Sequence, residues 1–331
     1  MKSLYRPLPA CVAALLLGCS AAAHAAWYAD SQDKMGTRID VEIWHDSEPQ
    51  ARALIAAAMA EFDRIEAGMS TFRPDSEISR VNARAAEAPV PVSAEFYGLV
   101  ARSLEMSVLS QGAFDITFDS VGQLYDYRRH VKPTDAEIAA RLPEINYRHV
   151  VLDPAARSIR FTMPGTRINL GGIAKGYAVE RVIAQLRAAG VKHALATAGG
   201  DTRLLGDHHG APWIVGIRDP DDASKLVTRL ALVDEAISTS GDYERYFIEG
   251  GKRIHHIIDP RTGKSASGVR SVTIVGPDAV MTEGLTKTVF IKGPEQGLAI
   301  VASVPGYEAV VVDDQRRVRY SKGLASGSGK R

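Results

Sequence analysis

Residues 168–178 read Ile-Asn-Leu-Gly-Gly-Ile-Ala-Lys-Gly-Tyr-Ala, and this stretch says most about how the chain folds and what it binds. An apolar run typical of a strand at 167–170 leads into paired glycines, and a helix is predicted over 173–189. Glycines let the backbone approach a ligand closely, and a helix N-terminus offers free N–H groups and partial positive charge. Lys175 adds a point charge in the first helical turn. The stretch therefore predicts a phosphate or diphosphate site. A Gly-rich turn with a solvated lysine is the alternative, because the spacing is neither a P-loop nor G-x-G-x-x-G.

Strand and helix patterns alternate on both sides of this stretch. Apolar residues alternate over 37–45, as in a half-buried strand, and recur at helical spacing over 48–68. Capping signals at Ser93 and Thr134 predict two further helix starts. The pattern indicates an α+β fold, with a single large domain of mixed β-sheets and packed helices over residues 27–320. Two lobes within that domain remain an open alternative.

Composition narrows the class of protein. Among 331 residues, 45% are hydrophobic and 24% are charged, which is ordinary for a globular chain. The net charge is +1, so the overall balance gives no reason to expect a nucleic-acid partner.

The first 25 residues have the features of a secretory signal: a basic start, a short apolar run and small residues. Cleavage after Ala25 fits the small-residue pattern. A lipobox-like alternative would leave Cys19 as a lipidated N-terminus and associate the protein with the inner membrane. We expect export to the periplasm in either case. Cys11 and Cys19 are the only cysteines, so a chain cut after Ala25 has no disulfide and no thiolate site. The Gly/Ser/Lys-rich residues 321–331 are predicted to be a flexible tail.

Further segments carry side chains suited to chemistry. His255 and His256 precede the turn Asp-Pro-Arg-Thr-Gly at 259–263. A histidine there is either a general base or a half-buried strand residue. Asp201 follows a Gly-Gly pair after an apolar strand and is either functional or structural. Taken alone, the Asp201 segment is more typical of a loop or strand edge than of a site, whereas the two interpretations of the histidine have equal weight.

In their order along the chain, these segments resemble the ApbE family, the FAD:protein FMN transferases. The resemblance covers nearly all of residues 27–320, and its specificity lies in the ordered set of motifs. The motifs are M-G-T at 35–37, M-S-T-F-R-P-D-S-E-I-S-R-V-N at 69–82, G-A-F-D-I-T at 112–117, G-G-I-A-K-G-Y-A at 171–178, A-G-G-D at 198–201, S-G-D-Y at 240–243 and H-I-I-D-P-R-T-G at 256–263.

The resemblance implies a substrate, a reaction and a set of site residues. Family members bind FAD, usually with Mg²⁺, and move its FMN half onto a serine or threonine of an acceptor flavoprotein, releasing AMP. By motif position His256 is the implied base or acceptor-orienting group, and Gly172 supplies a carbonyl ligand to the metal. The implied flavin contacts are Met35, Phe72, Ala113, Phe114, Asp115, Asn169, Lys175 and Ile258.

The sequence departs from the family pattern at several of these positions. Phe72 stands where the family usually has tyrosine, so a ring remains but a hydroxyl is lost. Asn169 stands where it usually has aspartate, so a charge is lost. The family's metal motif D-A-L-x-T is here Glu283-Gly-Leu-Thr286-Lys287. The longer carboxylate remains a candidate ligand. Lys287 replaces the threonine ligand, and a protonated lysine has no lone pair for a metal.

Three interpretations of that change stay open. Mg²⁺ binds through Glu283, the Gly172 carbonyl and water, with Thr286 as a poor substitute ligand. Alternatively, the Lys287 ammonium occupies the metal's place and takes part in catalysis. In the third, the site binds FAD without transferring it. The function hypotheses follow: a periplasmic flavin transferase first, then a periplasmic FAD-binding protein, or an FAD pyrophosphatase that forms FMN and AMP.

Overall fold

The structure is a computed structural model and describes residues 25–325. The predicted signal segment, including Cys11 and Cys19, lies outside the described residues apart from Ala25, as does the end of the predicted tail. Helices and sheets pack around one large hydrophobic core, which confirms the α+β class. Within residues 25–325, no helix is both long and apolar enough to cross a membrane.

The strands are β1 Ala26–Lys34, β2 Thr37–His45, β3 Val90–Pro91, β4 Val150–Asp153, β5 Ser158–Phe161, β6 Ala194–Ala198, β7 Asp201–Leu205, β8 Trp213–Arg218, β9 Leu226–Leu232, β10 Ala236–Gly241, β11 Tyr246–Glu249, β12 Lys252–His255, β13 Ile258–Asp259, β14 Lys264–Ser265, β15 Val269–Gly276, β16 Glu308–Asp313 and β17 Val318–Tyr320. The helices are α1 Glu48–Met69, α2 Glu77–Arg84, α3 Ala94–Leu109, α4 Asp119–Gly122, α5 Asp135–Arg141, α6 Ala174–Ala188, α7 Ala279–Lys292, α8 Pro294–Ala302 and α9 Lys322–Ala325.

One eight-stranded sheet organises the fold, in the order β1-β2-β6-β7-β10-β15-β16-β17. Its neighbouring strands all pair antiparallel, so the strand direction that the sequence left as mixed is uniform here. The two central strands β7 and β10 bring residues from distant parts of the chain side by side. The N-terminal end of β7 is therefore held at the middle of the sheet.

Three long helices cover one face of this sheet. α1 packs on β1 and β2, α6 packs on β6 and β7, and α7 packs on β10 and β15. α6 also contacts both α1 and α7, so its first turn lies between the sheet and a neighbouring helix. On the opposite face, Trp213 and Leu232 of the β8–β9 hairpin pack with Ile237 and Val275 of the sheet. The site described below lies on the helix-covered face.

Local sequence signals explain where several helices begin. The hydroxyl of Ser93 accepts the Phe96 N–H at the start of α3. Thr134 and Glu137 form the predicted capping box at α5. Asp278 caps α7 by accepting the Met281 N–H. These bonds satisfy N–H groups that have no partner inside a helix, so they fix the helix starts.

Two sequence expectations are wrong. Residues 167–170 do not form a strand. The side chain of Asn82 instead bonds both the N–H and the carbonyl of Ile168, at 2.8 and 2.9 Å. That amide takes the place of a neighbouring strand, and the segment lies outside any sheet. The predicted flexible tail is in part ordered: Ser321 is buried, its hydroxyl accepts the Ala309 N–H at 2.8 Å, and α9 follows.

Candidate active site

Three elements meet around one buried ammonium group. Lys175 projects from the first turn of α6, and its Nζ donates to Glu283 Oε1 of α7 at 2.6 Å. The same Nζ bonds Oδ2 of Asp201 at the start of β7. Asp201 is 1% exposed and Glu283 is 0% exposed. Buried charges are stable only when paired and hydrogen-bonded, so these groups depend on one another.

A glycine makes this meeting of helices possible. A Cβ on Gly176 would lie 2.2 Å from the carbonyl oxygen of Ala279 and 3.2 Å from Cβ of Glu283. Only a residue without Cβ fits between α6 and α7 at this point. The Gly176 N–H donates to Glu283 Oε2 at 2.7 Å, so the carboxylate also caps the first turn of α6. Both oxygens of Glu283 are therefore engaged by the chain.

A second ammonium group approaches the same oxygen of Glu283. Lys287 is one helical turn further along α7, and its Nζ is 3.4 Å from Glu283 Oε1. Its side chain is 17% exposed. The stem passes the paired glycines, because Cε of Lys287 is 3.9 Å from the Cβ position of Gly172. The lysine that replaces a neutral residue of the family motif thus lies in the site.

The charges of this cluster change one another's pKa. Burial would lower the pKa of Lys175, but Asp201 and Glu283 outweigh it and hold the pKa above its usual range. Burial raises the pKa of Asp201, and the Glu283 charge raises it further. Burial would also raise the pKa of Glu283, but the two lysines lower it overall. Burial lowers the pKa of Lys287, and the charge of Lys175 acts in the same direction.

His256 lies near the cluster, where the charges of Lys287 and Lys175 act on its ring. Burial, with the charges of Lys287, Arg245 and Lys175 among others, lowers the pKa of His256 to about 3. Its ring is neutral at physiological pH, and its buried Nδ1 has no hydrogen-bond partner among the described residues. A neutral imidazole with a free ring nitrogen can accept a proton from a substrate hydroxyl.

Arg245 connects His256 to the turn of the first hairpin. The His256 N–H donates to the Arg245 carbonyl at 3.2 Å, and Nη2 of Arg245 donates to the Gly36 carbonyl at 2.8 Å. Met35 and Gly36 both have positive φ, as a two-residue hairpin loop requires. Met35 is half-buried against the core, and its N–H donates to Glu66 Oε2 at 2.8 Å.

The predicted contacts at 113–115 form a wall beside the glycines. Ala113 and Phe114 are buried, and Cε2 of the phenylalanine is 3.4 Å from the Cβ position of Gly172. The carboxylate of Asp115 accepts the N–H and hydroxyl of Thr117 and the N–H of Tyr147, at 2.8, 2.6 and 2.8 Å. Asp115 therefore shapes this wall through hydrogen bonds within the chain. Its contact with flavin stays a prediction.

Asn169 has a similar supporting arrangement. Its Nδ2 donates to Asp119 Oδ1 at 3.0 Å, and its Oδ1 accepts the Gly171 N–H at 2.8 Å. Asp119 in turn accepts from Arg167 at 2.6 Å. The amide can do both because it carries a donor and an acceptor, whereas an aspartate at 169 would face the Asp119 carboxylate. The asparagine that departs from the family pattern at 169 therefore suits the Asp119 carboxylate beside it.

The remaining predicted residues differ in exposure. Phe72 is 94% exposed in the loop after α1, so its ring is free to contact a ligand. Ile258 is buried in β13, two residues beyond His256. Thr286 is buried; its hydroxyl donates to the Glu283 carbonyl at 2.7 Å and lies 2.7 Å from the hydroxyl of Ser240. That packing against β10 disfavours Thr286 as a metal ligand.

The donor set also fits Mg²⁺ poorly. Mg²⁺ requires near-octahedral oxygen ligation. Within residues 25–325, no three His, Cys, Asp or Glu side chains group as a metal site. The oxygens of Glu283 already accept from two ammonium groups and a backbone N–H. The Lys287 ammonium offers no lone pair and repels a cation.

Sequence reasoning left Asp201 undecided, and the structure brings it into the cluster. The sequence feature that points to it is an acidic residue directly after the Gly-Gly pair at the end of a strand. Its Oδ2 bonds Lys175, while its buried Oδ1 has no partner within the described part of the chain. This oxygen is an acceptor, so a hydrogen-bond donor of a ligand can complete it.

The fold places a helix N-terminus, two lysines and two carboxylates around one buried site. The chain belongs to the ApbE family, whose model matches residues 35–311.

Proteins similar to this chain align with most of its length. A Klebsiella pneumoniae (strain 342) FAD:protein FMN transferase is 31% identical over 295 residues, spanning 88% of this chain and 90% of that protein. A Vibrio cholerae (strain O395) protein of the same name is 32% identical over 255 residues, spanning 74% and 76%. Among solved structures, the ApbE protein of Thermotoga maritima matches with a TM-score of 0.85 at 29% identity, over 92% of this chain and all of that chain. The flavin transferase ApbE of Vibrio cholerae gives a TM-score of 0.80 at 27% identity, over 92% and 99%.

Proposed function

We propose that this protein is an FAD:protein FMN transferase. The observation that carries the proposal is the buried cluster of Lys175, Lys287, Asp201 and Glu283 beside His256, in a chain whose family members bear that name. Two ammonium groups suit a diphosphate, and a neutral histidine suits the removal of a proton from an attacking hydroxyl.

The reaction replaces the phosphoanhydride linkage of FAD with a phosphate ester on the acceptor. The hydroxyl oxygen of a serine or threonine on the acceptor protein bonds to the FMN-side phosphorus of FAD. The bond between that phosphorus and the bridging oxygen breaks, and AMP leaves with the bridging oxygen. His256 takes the hydroxyl proton. Positioning and charge stabilisation carry most of such a phosphoryl transfer.

The residues of this chain have distinct roles in that step. Lys175 and the first turn of α6 hold the diphosphate, and Glu283 fixes both of them through its two oxygens. The negative charge of bound FAD raises the pKa of His256 from its value in the free protein, which strengthens it as a base. The ring of Phe72 is exposed for contact with the isoalloxazine.

We also propose that the protein acts after export. The support is the signal-like composition of residues 1–25, with cleavage after Ala25 or lipidation at Cys19 as the two routes. The partner is a flavin-acceptor protein, a subunit or domain that bears the target hydroxyl. Membrane association follows only if Cys19 is lipidated.

Purified mature protein, FAD and a flavin-acceptor domain test the activity. We expect a fluorescent acceptor band on a denaturing gel and release of AMP. An acceptor whose target hydroxyl residue is replaced by alanine is the control and is expected to stay unlabelled. FMN and AMP without a labelled acceptor would instead indicate a pyrophosphatase. FAD that is bound and recovered intact would indicate a flavin-binding protein.

A further inference from the structure

Lys287 has fewer partners than a buried ammonium needs. The ammonium carries three donors, and within the described residues it makes one long bond, 3.4 Å to Glu283 Oε1. Lys175, by contrast, makes close bonds to two carboxylates. A largely buried ammonium with unused donors calls for an anionic oxygen that the chain does not supply.

The position of Lys287 identifies the kind of anion. Its stem lies beside Gly172, at the turn that opens α6. The N-cap residue of that helix, Ile173, makes no side-chain capping bond. A helix N-terminus, a glycine turn and a lysine thus border the same space. Phosphate oxygens are the ligands that such a combination binds best.

The charges of the cluster disfavour a divalent cation. Asp201 and Glu283 together balance Lys175 and Lys287, so the protein groups sum to zero when all four are ionised. A divalent cation would add two positive charges next to two ammonium groups. Each lysine would repel it, and three of the four carboxylate oxygens of Asp201 and Glu283 are already engaged, which leaves only Asp201 Oδ1 within the described residues.

We propose that the Lys287 ammonium contacts the diphosphate of FAD directly and takes the place of a divalent cation in this protein. The inference rests on the proposed function, because it assigns a residue to that substrate. Lys287 stabilises the negative charge that develops on the diphosphate as the bond to AMP breaks. Lys175 bonds both carboxylates and lies at the helix turn that holds the diphosphate, whereas the unused donors of Lys287 are available to the substrate.

The test measures FAD affinity and transfer in EDTA and in Mg²⁺. For the unmodified protein, we expect the Kd for FAD and the rate of acceptor labelling to be the same in both buffers. Lys287→Thr is expected to bind FAD about 10- to 100-fold more weakly in EDTA, because a charged hydrogen-bond partner of a phosphate is removed. Added Mg²⁺ should restore part of its affinity.

Lys292→Thr is the matched control, because Lys292 lies on the same helix. Within residues 25–325 its Nζ bonds only Gln111, at 3.4 Å in an exposed position. It should behave like the unmodified protein. Lys287→Met provides a second variant of similar length if the threonine variant does not fold, and Mg²⁺ should not restore its affinity.

The outcomes separate the two proposals. Labelling or FAD binding by the unmodified protein that requires Mg²⁺ would overturn the assignment of Lys287 and leave the transferase intact. FAD binding without Mg²⁺ but with no labelling in either buffer would overturn the transferase and support the lysine contact. Equal FAD affinity of Lys287→Thr and the unmodified protein in EDTA would also overturn the assignment.

Discussion

Gly176→Ala should push α6 and α7 apart at the point where they form the site. The added Cβ would lie 2.2 Å from the Ala279 carbonyl oxygen and 2.8 Å from its carbon, and these are backbone atoms that cannot rotate away. Overpacking a core contact typically costs about 1–3 kcal/mol, and a clash with backbone belongs at the upper end. The higher helix propensity of alanine offsets about 1 kcal/mol of this loss. We therefore expect a net loss of about 2 kcal/mol in the free energy of unfolding.

Gly98→Ala supplies the matched control for helix propensity. Gly98 lies within α3, and nothing is within 4 Å of its Cβ position. This variant should gain up to about 1 kcal/mol, so the two alanines should shift stability in opposite directions. Urea titration of both variants gives the comparison directly, provided the slope with denaturant stays constant.

The same displacement should weaken FAD binding. Moving α7 lengthens the 2.7 Å bond from the Gly176 N–H to Glu283 and the 2.6 Å bond from Lys175 to the same carboxylate. A Gly176→Ala protein as stable as Gly98→Ala, with unchanged FAD affinity, would refute the claim that this close helix contact builds the site.

Three further predictions follow from single side chains. His256→Asn should reduce acceptor labelling by about 10²- to 10⁴-fold as a lost general base, while FAD affinity measured by fluorescence stays close to that of the unmodified protein. His256 should also make stability depend on pH: its pKa is about 3 when folded against 6.5 as the ordinary value, so the unfolded chain binds more protons between these values. The stability that this group contributes is present above pH 6.5 and is lost as the pH decreases toward 3. Urea titrations should therefore show a smaller loss of stability at low pH for His256→Asn than for the unmodified protein. An equal loss in both proteins would contradict the burial of a neutral ring. Phe72→Ala should cost less than about 0.5 kcal/mol in stability, since the ring is exposed, yet weaken FAD binding about 2- to 10-fold if the ring stacks on flavin.

Local signals in the sequence predicted local structure well. The caps at Ser93 and Thr134 were correct because a cap depends on residues three positions apart. The strand expected at 167–170 was wrong because its partner is not another strand but the side chain of Asn82, far away in sequence. The ordered end at α9 depends on the burial of Ser321 against β16, which composition does not reveal.

The sequence predicted which residues belong to the site better than it predicted how they contact one another. The motif order identified Lys175, His256, Glu283 and Lys287 as candidates. Only the packing of α6 against β7 and α7 shows that Lys175 bonds both Asp201 and Glu283. Likewise, the unmatched donors of Lys287 and the free Nδ1 of His256 can be seen only once their neighbours are in place.

The most direct test of the account is a mass spectrum of the acceptor domain after incubation with the unmodified protein and FAD in EDTA, with AMP measured in the same sample. We expect an acceptor that carries one covalent FMN and an equal amount of AMP, without any divalent cation. No adduct in EDTA, with full labelling once Mg²⁺ is added, would contradict the role given to Lys287. No adduct under either condition would contradict the transferase itself.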